Sequence, residues 1–170
     1  PQFVVTTLLA ALDYRNRTGK GQYIDLSQLE ASIQFLAPVV LDFTVNNRVA
    51  DRVGNRSPYA SPHGVYACRG DDRWCAIAIS TEEEWKSFIL AIGEPEWTED
   101  PKLASFSGRK ENEDELDRLV GDWTCNFTAE EVMIRLQSFG VPAGVVETCE
   151  DVHHDPQLKH RHHFRRLEHP

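Results

Sequence analysis

The sequence predicts an α+β protein: a small antiparallel-type sheet covered by helices, with a helical arm in front of it. Three observations carry this. Val65–Cys68 and Trp74–Ile79 are short β-prone runs with alternating apolar positions on either side of Gly70-Asp71-Asp72, the pattern of a β-hairpin. Ser27 with Glu30, Thr81 with Glu84 and Thr128 with Glu131 have the spacing of helix-opening capping boxes. Between them the apolar residues recur at helical spacing.

In chain order, the first helix is expected from about Phe3 to Asn16, where Phe3, Val4, Leu8, Ala11 and Leu12 precede any charge. Gly19 and Gly21 supply the backbone freedom that stops it. Tyr23, Ile24 and Leu26 form a short extended run, and Ser27 opens a second helix that reaches about Val45. Leu29, Ile33, Leu36, Ala37, Val40 and Leu41 make its apolar stripe, and Pro38 is expected to kink it. Neither helix has a polar face wide enough for an isolated surface helix, so both are expected to pack on a body larger than this chain supplies.

Residues 46–62 are polar, rich in Arg and Asn, and read as a connector between the arm (1–45) and a small domain (63–150). In that domain the hairpin is followed by a helix from Glu82 to Ile92, lined by Trp85, Phe88, Ile89 and Ile92 and stopped at Gly93. Asp100-Pro101 starts a short helical turn. A helix from Asn112 to Trp123 turns Leu116, Leu119, Val120 and Trp123 inward. Thr128 opens another, ended by Gly140. Val141 to Thr148 is expected to be a strand joining the hairpin, and 151–170 to lead away from the domain.

Composition limits the function. The 170 residues are 41% hydrophobic and 26% charged, within the range of a globular protein. No apolar run is long enough to cross a bilayer, and no signal segment is present, so a cytoplasmic location is expected. The net charge of −9 is concentrated: residues 81–150 carry 6 basic and 17 acidic side chains, a net −11. That block repels nucleic acid and any polyphosphate. Cys68, Cys75, Cys125 and Cys149 lack metal or redox spacing and read as reduced, mostly buried thiols. Asn126-Phe127-Thr128 matches a glycosylation sequon, which the same compartment argument dismisses.

Several features resolve to ordinary roles. Gly19-Lys20-Gly21 lacks the first glycine and the Ser or Thr of a phosphate loop. His153, His154, His160, His162, His163 and His169 are interleaved with Lys159, Arg161, Arg165 and Arg166, which disfavours a metal site. Glu82-Glu83-Glu84, at the start of a helix, complement its dipole. The segment Arg56-Ser57-Pro58-Tyr59-Ala60-Ser61-Pro62-His63 is different: it brings Tyr, two Ser and His together in a loop stiffened by two prolines. By residue type it reads equally well as a plain proline loop or as a site.

The motifs Leu9-Ala10-Ala11-Leu12, Arg15-Asn16-Arg17-Thr18-Gly19-Lys20-Gly21-Gln22, Ile24-Asp25-Leu26-Ser27, Gly54-Asn55-Arg56, Pro62-His63-Gly64-Val65-Tyr66, Gly140-Val141-Pro142-Ala143-Gly144-Val145 and Asp155-Pro156-Gln157-Leu158 resemble the family III CoA-transferases. That group includes formyl-CoA and carnitine CoA-transferases and the α-methylacyl-CoA racemases. The resemblance spans nearly the whole chain and its motifs fall in family order. It implies a large Rossmann-like domain built from both chain ends, a small middle domain, and an interlocked homodimer. It also implies transfer of CoA from an acyl-CoA to a carboxylic acid through an aspartyl-CoA thioester. On this reading, coenzyme A is a substrate and no cofactor is bound permanently. The nucleophilic aspartate is expected before Pro1, so this chain alone, a central piece of a longer protein, is expected to be inactive. In the formyl-CoA transferases a glycine-rich loop near residues 56–63 closes over the reacting acyl group. This chain has no glycine run there, and Tyr59, Ser61 and His63 are the residues expected to line the pocket. Two alternatives stand beside this: a racemase, against which Thr81 occupies the position of the racemases' Glu, and a non-catalytic dimerisation module of the same fold.

Overall fold

The computed structural model describes residues 2–168, and these divide into two compact units on either side of the Arg52–Val53 bond. The division falls within the stretch read as connector.

The first unit is helical. Helix α1 (Gln2–Thr18) ends where Gly19 takes a φ of 72° and its N–H returns to the Arg15 carbonyl. Residues 19–27 carry no regular structure, so the expected extended run forms no strand. Ser27 accepts a bond from the Glu30 N–H and opens α2 (Gln28–Ile33); the reciprocal half of the expected box is absent. A 3₁₀ turn (Gln34–Leu36) then leads into α3 (Ala37–Asn46), with Pro38 in its first turn. The expected kink is therefore a break into two helices, as the missing proline N–H and the clash with the preceding turn dictate. No residue of α1, α2 or α3 is buried, and Leu9, Phe35 and Leu41 are all more than 60% exposed.

The second unit holds the sheet. Strands β1 (His63–Ala67), β2 (Trp74–Ala78) and β3 (Ala143–Val146) form an antiparallel sheet in the order β1-β2-β3. The register pairs Val65 with Ala76 and Ala76 with Gly144. Alternation sends Tyr66, Cys75 and Ile77 to one face, where they are buried, while Val65, Trp74 and Val146 lie exposed. Helices α4 (Glu82–Ile92), α6 (Glu113–Thr124) and α7 (Ala129–Ser138) supply the buried Phe88, Leu116, Val120, Val132 and Leu136 to the same core. Phe88 is wholly enclosed, stacked on Trp85 at 5.6 Å and edge-on to Trp123 at 6.4 Å. Burying a side chain of that size contributes about 1.5–3 kcal/mol.

Capping explains the boundaries. Thr81 and Thr128 form complete capping boxes with Glu84 and Glu131, and Thr148 forms a third with Asp151 at α8 (Cys149–His154). The chain ends its described structure with α9 (Pro156–His160). The sequence reading omitted α5 (Phe106–Glu111), which Ser105 caps through the Gly108 N–H. Gly108 is required there, because a Cβ would lie 2.1 Å from the Lys102 carbonyl oxygen.

Two of the four cysteines, Cys125 and Cys149, are exposed, correcting the expectation of mostly buried thiols. Cys75 is enclosed, and burial pushes its thiol up to about 12; burial also raises Cys68. The six-histidine cluster includes His169, which lies outside the described residues. Of the rest, His153 and His163 pack their rings on Phe164 at 4.3 and 4.9 Å. Among the described residues no three His, Cys, Asp or Glu side chains stand together as a metal site, and no helix is long and apolar enough to cross a membrane.

Candidate functional site

The helices cover one face of the sheet, leaving the other bare. At the end where β1 begins and β2 stops, the sheet floors a cleft of about 680 Å³. The floor is mostly small residues, Gly64, Ala76, Ala78, Ala143 and Gly144, with Val65 and Ile77 among them, and one wall is Gly54-Asn55-Arg56 with His63. Small side chains let a ligand approach the sheet closely, so the polar handles must come from that wall.

The wall is built from a turn. The Arg56 N–H bonds the Val53 carbonyl at 3.3 Å, and Gly54 takes a φ of 63° inside it. Beyond the turn, Ser57 and Ala60 pair as an isolated antiparallel bridge. The Ser61 N–H bonds the Ile79 carbonyl at 2.9 Å and the Ile79 N–H bonds the Pro62 carbonyl at 3.0 Å, extending the sheet's edge.

Side chains then fasten the segment to the helices. The Arg56 guanidinium meets Asp114, Asp117 (3.3 Å) and Glu113 (3.6 Å) on α6, and the bond to Asp114, more than any other contact, raises its pKa. Lys110 donates to the Ser57 carbonyl at 2.9 Å and to Glu113 at 2.7 Å. The Tyr66 hydroxyl donates to Asp117 at 2.7 Å; burial, and then that bond, raise its pKa. Arg56 is thus committed to carboxylates of its own chain and has little charge to offer a ligand.

His63 differs. Its Nδ1 is hydrogen-bonded to the Asn55 carbonyl. A carbonyl only accepts, so Nδ1 carries the proton and Nε2 is the nitrogen left without a partner among the described residues. His63 and Asn55 both line the cleft beside its largely apolar floor.

Of the three residues expected to line the pocket, only His63 borders this cleft. Tyr59 stands 80% exposed. Ser61 is fully enclosed, its Oγ without a partner, so its hydroxyl does not reach the cleft. Beside Ser61 lies Arg109, 1% exposed, whose Nε donates to the Ser61 carbonyl at 3.3 Å and whose Nη1 donates to Leu103 at 3.2 Å. Its Nη2 meets Glu82 at 2.7 Å, and its guanidinium lies 4.6 Å from the centre of the Trp85 ring. That bond, ahead of other causes, holds the Glu82 carboxyl below its ordinary value. Glu82 therefore has a specific partner beyond the helix dipole. The sequence reading singles out the segment that opens at Arg56 but places neither Asn55 nor Arg56 in the pocket lining. Gly54-Asn55, a turn signal within a quoted motif, was the clue to both.

Across residues 2–170 the chain matches the CoA-transferase family III, and it belongs to that family. Among its relatives, a probable CoA-transferase of Mycobacterium tuberculosis is 37% identical over 162 residues, 95% of this chain and 20% of that protein. The succinyl-CoA–D-citramalate CoA-transferase of Chloroflexus aurantiacus is 30% identical over 156 residues, 92% of this chain and 39% of that protein. The crystal structure of a CaiB/BaiF family protein from Brucella suis superposes with a TM-score of 0.79 at 28% identity, covering 94% of this chain and 42% of that one. The chain spans well under half the length of each. Fold class and family thus agree with the sequence reading.

Proposed function

We propose that the chain serves as the central part of an acyl-CoA:carboxylate CoA-transferase that works through an aspartyl-CoA thioester. The family match over residues 2–170 is the observation that carries this. The nucleophilic aspartate would lie outside these residues, on another part of the protein. Its carboxylate attacks the thioester carbonyl, expelling CoA thiolate and leaving a mixed anhydride. The thiolate then attacks the aspartyl carbonyl of the anhydride, releasing the donor acid and forming the enzyme thioester. The acceptor carboxylate reverses the sequence and departs as the new acyl-CoA. Each step conserves the thioester's free energy provided water is kept out.

On this reading the cleft forms one wall of the acyl site, with His63 as a hydrogen-bonding contact for the acid. Its small-residue floor and the commitment of Arg56 to its own carboxylates support this. The acidic block at 81–150 is consistent with the CoA phosphates being held elsewhere. Coenzyme A would be substrate, with no cofactor bound permanently, in an interlocked cytoplasmic homodimer. The racemase reading would need a free acid or base after β2. At the position of the racemases' glutamate this chain has Thr81, whose hydroxyl caps α4, which favours transfer.

The test is turnover by the full-length protein with a panel of acyl-CoAs and acids. Succinyl-CoA and acetyl-CoA with dicarboxylic acids are the natural start, since relatives are named as succinyl-CoA–D-citramalate and acetyl-CoA:oxalate CoA-transferases. Transfer with a hydroxylamine-sensitive enzyme thioester is expected, and His63→Gln should lower kcat/KM at least about tenfold, the equivalent of one hydrogen bond of about 1.4 kcal/mol. Solvent deuterium appearing at the α-carbon without transfer would refute the proposal.

A further inference from the structure

We infer that Arg56 is a positioning residue: clamped by the carboxylates of α6, it holds the Asn55 carbonyl against His63 and so fixes which ring nitrogen faces the cleft. The inference rests on the reading of His63 as a substrate contact, but its structural half stands apart from that reading.

Three observations converge. First, the Asn55 carbonyl is the bonding partner of His63 Nδ1, which keeps the proton on Nδ1 and leaves Nε2 unprotonated in the neutral ring. Without such a partner the two tautomers compete. Second, Asn55 sits in a turn with few restraints of its own: one backbone bond of 3.3 Å closes it, and Gly54 inside it adds freedom. Third, the residue that follows, Arg56, is held by Asp114, Asp117 and Glu113. The same helix touches β1 through the Tyr66–Asp117 bond at 2.7 Å, three residues from His63. The carbonyl and the ring it bonds are thus tied to one rigid element, α6, from both sides. A fork of donors shared among several carboxylates fixes orientation, which a single exposed pair does not. Cutting the clamp frees the turn, and the Asn55 carbonyl no longer selects the tautomer.

The experiment follows the tautomer directly. In the chain labelled with [15N]histidine, two-bond 15N–1H correlation above neutral pH distinguishes Nδ1–H from Nε2–H rings, and His63→Gln identifies the His63 signal. Wild type is expected to show Nδ1–H at His63. Arg56→Met should move it toward the Nε2–H form, and Asp114→Asn/Asp117→Asn, which keeps the arginine but removes two of its three anchors, should do the same. A near-wild-type urea midpoint for either variant shows that the fold survives. In the full-length protein Arg56→Met should lower kcat/KM about as much as His63→Gln does, and add less than about twofold on top of it. An unchanged His63 tautomer in both clamp variants overturns the inference. So does an Arg56→Met penalty that is equally large without His63. A shifted tautomer with full activity in His63→Gln leaves the clamp standing and removes the substrate contact instead.

Discussion

The ion pair between buried Arg109 and half-exposed Glu82 offers the sharpest quantitative test of the second unit. Glu82→Gln keeps the shape of the side chain and deletes its charge. Arg109, 1% exposed, would then retain two carbonyls and the Trp85 ring but no counter-ion. Leaving a buried charge uncompensated costs about 3–5 kcal/mol, but the Glu82 side chain is 46% exposed, so water replaces part of what is lost. The expected cost is about 2–3 kcal/mol, the range for hydrogen bonds to charged groups. Arg109→Met strands the Ser61 and Leu103 carbonyls and should cost a similar or larger amount. The double variant should fall short of the sum by at least about 1 kcal/mol, since each single change spoils the same bond.

All four tryptophans, Trp74, Trp85, Trp97 and Trp123, lie in the second unit, so urea titrations followed by fluorescence read its unfolding. The pH dependence has a definite sign. The Glu82 carboxyl is depressed in the folded state below its ordinary 4.5, so its stabilising contribution is complete above that pH and disappears as pH falls through the lower folded value. The gap between wild type and Glu82→Gln should begin to close as pH falls below 4.5 and go on closing through the lower folded value. Additive costs, or a gap that persists unchanged under acid, would refute the reasoning.

Gly108→Ala should destabilise the second unit by more than the usual overpacking cost of about 1–3 kcal/mol, because the new methyl meets a backbone carbonyl at 2.1 Å; a urea midpoint within error of wild type would contradict this. In native protein, a thiol reagent such as DTNB should label Cys125 and Cys149 promptly, with Cys68 and Cys75 reacting only after denaturant is added. Four fast thiols before unfolding would contradict the burial of the pair.

Much of the second unit was legible in the chain because its signals are local. Thr81 with Glu84 and Thr128 with Glu131 each carry both halves of a capping box within four residues, and both helices start where those residues place them. The hairpin strands likewise declared themselves by alternation. The short helix α5 was missed because its cap, Ser105, faces Gly108 and not an acidic residue, and because a six-residue helix holds too few apolar positions to show a period. The break at Pro38 was foreseen as a kink, since proline chemistry is local, while the full division into α2 and α3 was not.

The sequence by itself determined the fold class, the family motifs and the hairpin of the sheet, all of which follow from spacing along one stretch of chain. It did not decide which polar groups face the cleft. Ser61 and His63 stand two residues apart in one loop, yet one is enclosed beside Arg109 and the other borders open space. Arg56, the most conspicuous cation of that loop, is consumed by carboxylates that lie 57 to 61 positions further along. Such pairings depend on how α6 crosses β1, and contacts between distant segments leave no periodic trace in the residues that make them. Tertiary packing alone brought His63 to the wall of the cleft and tied the Arg56 guanidinium to carboxylates of α6.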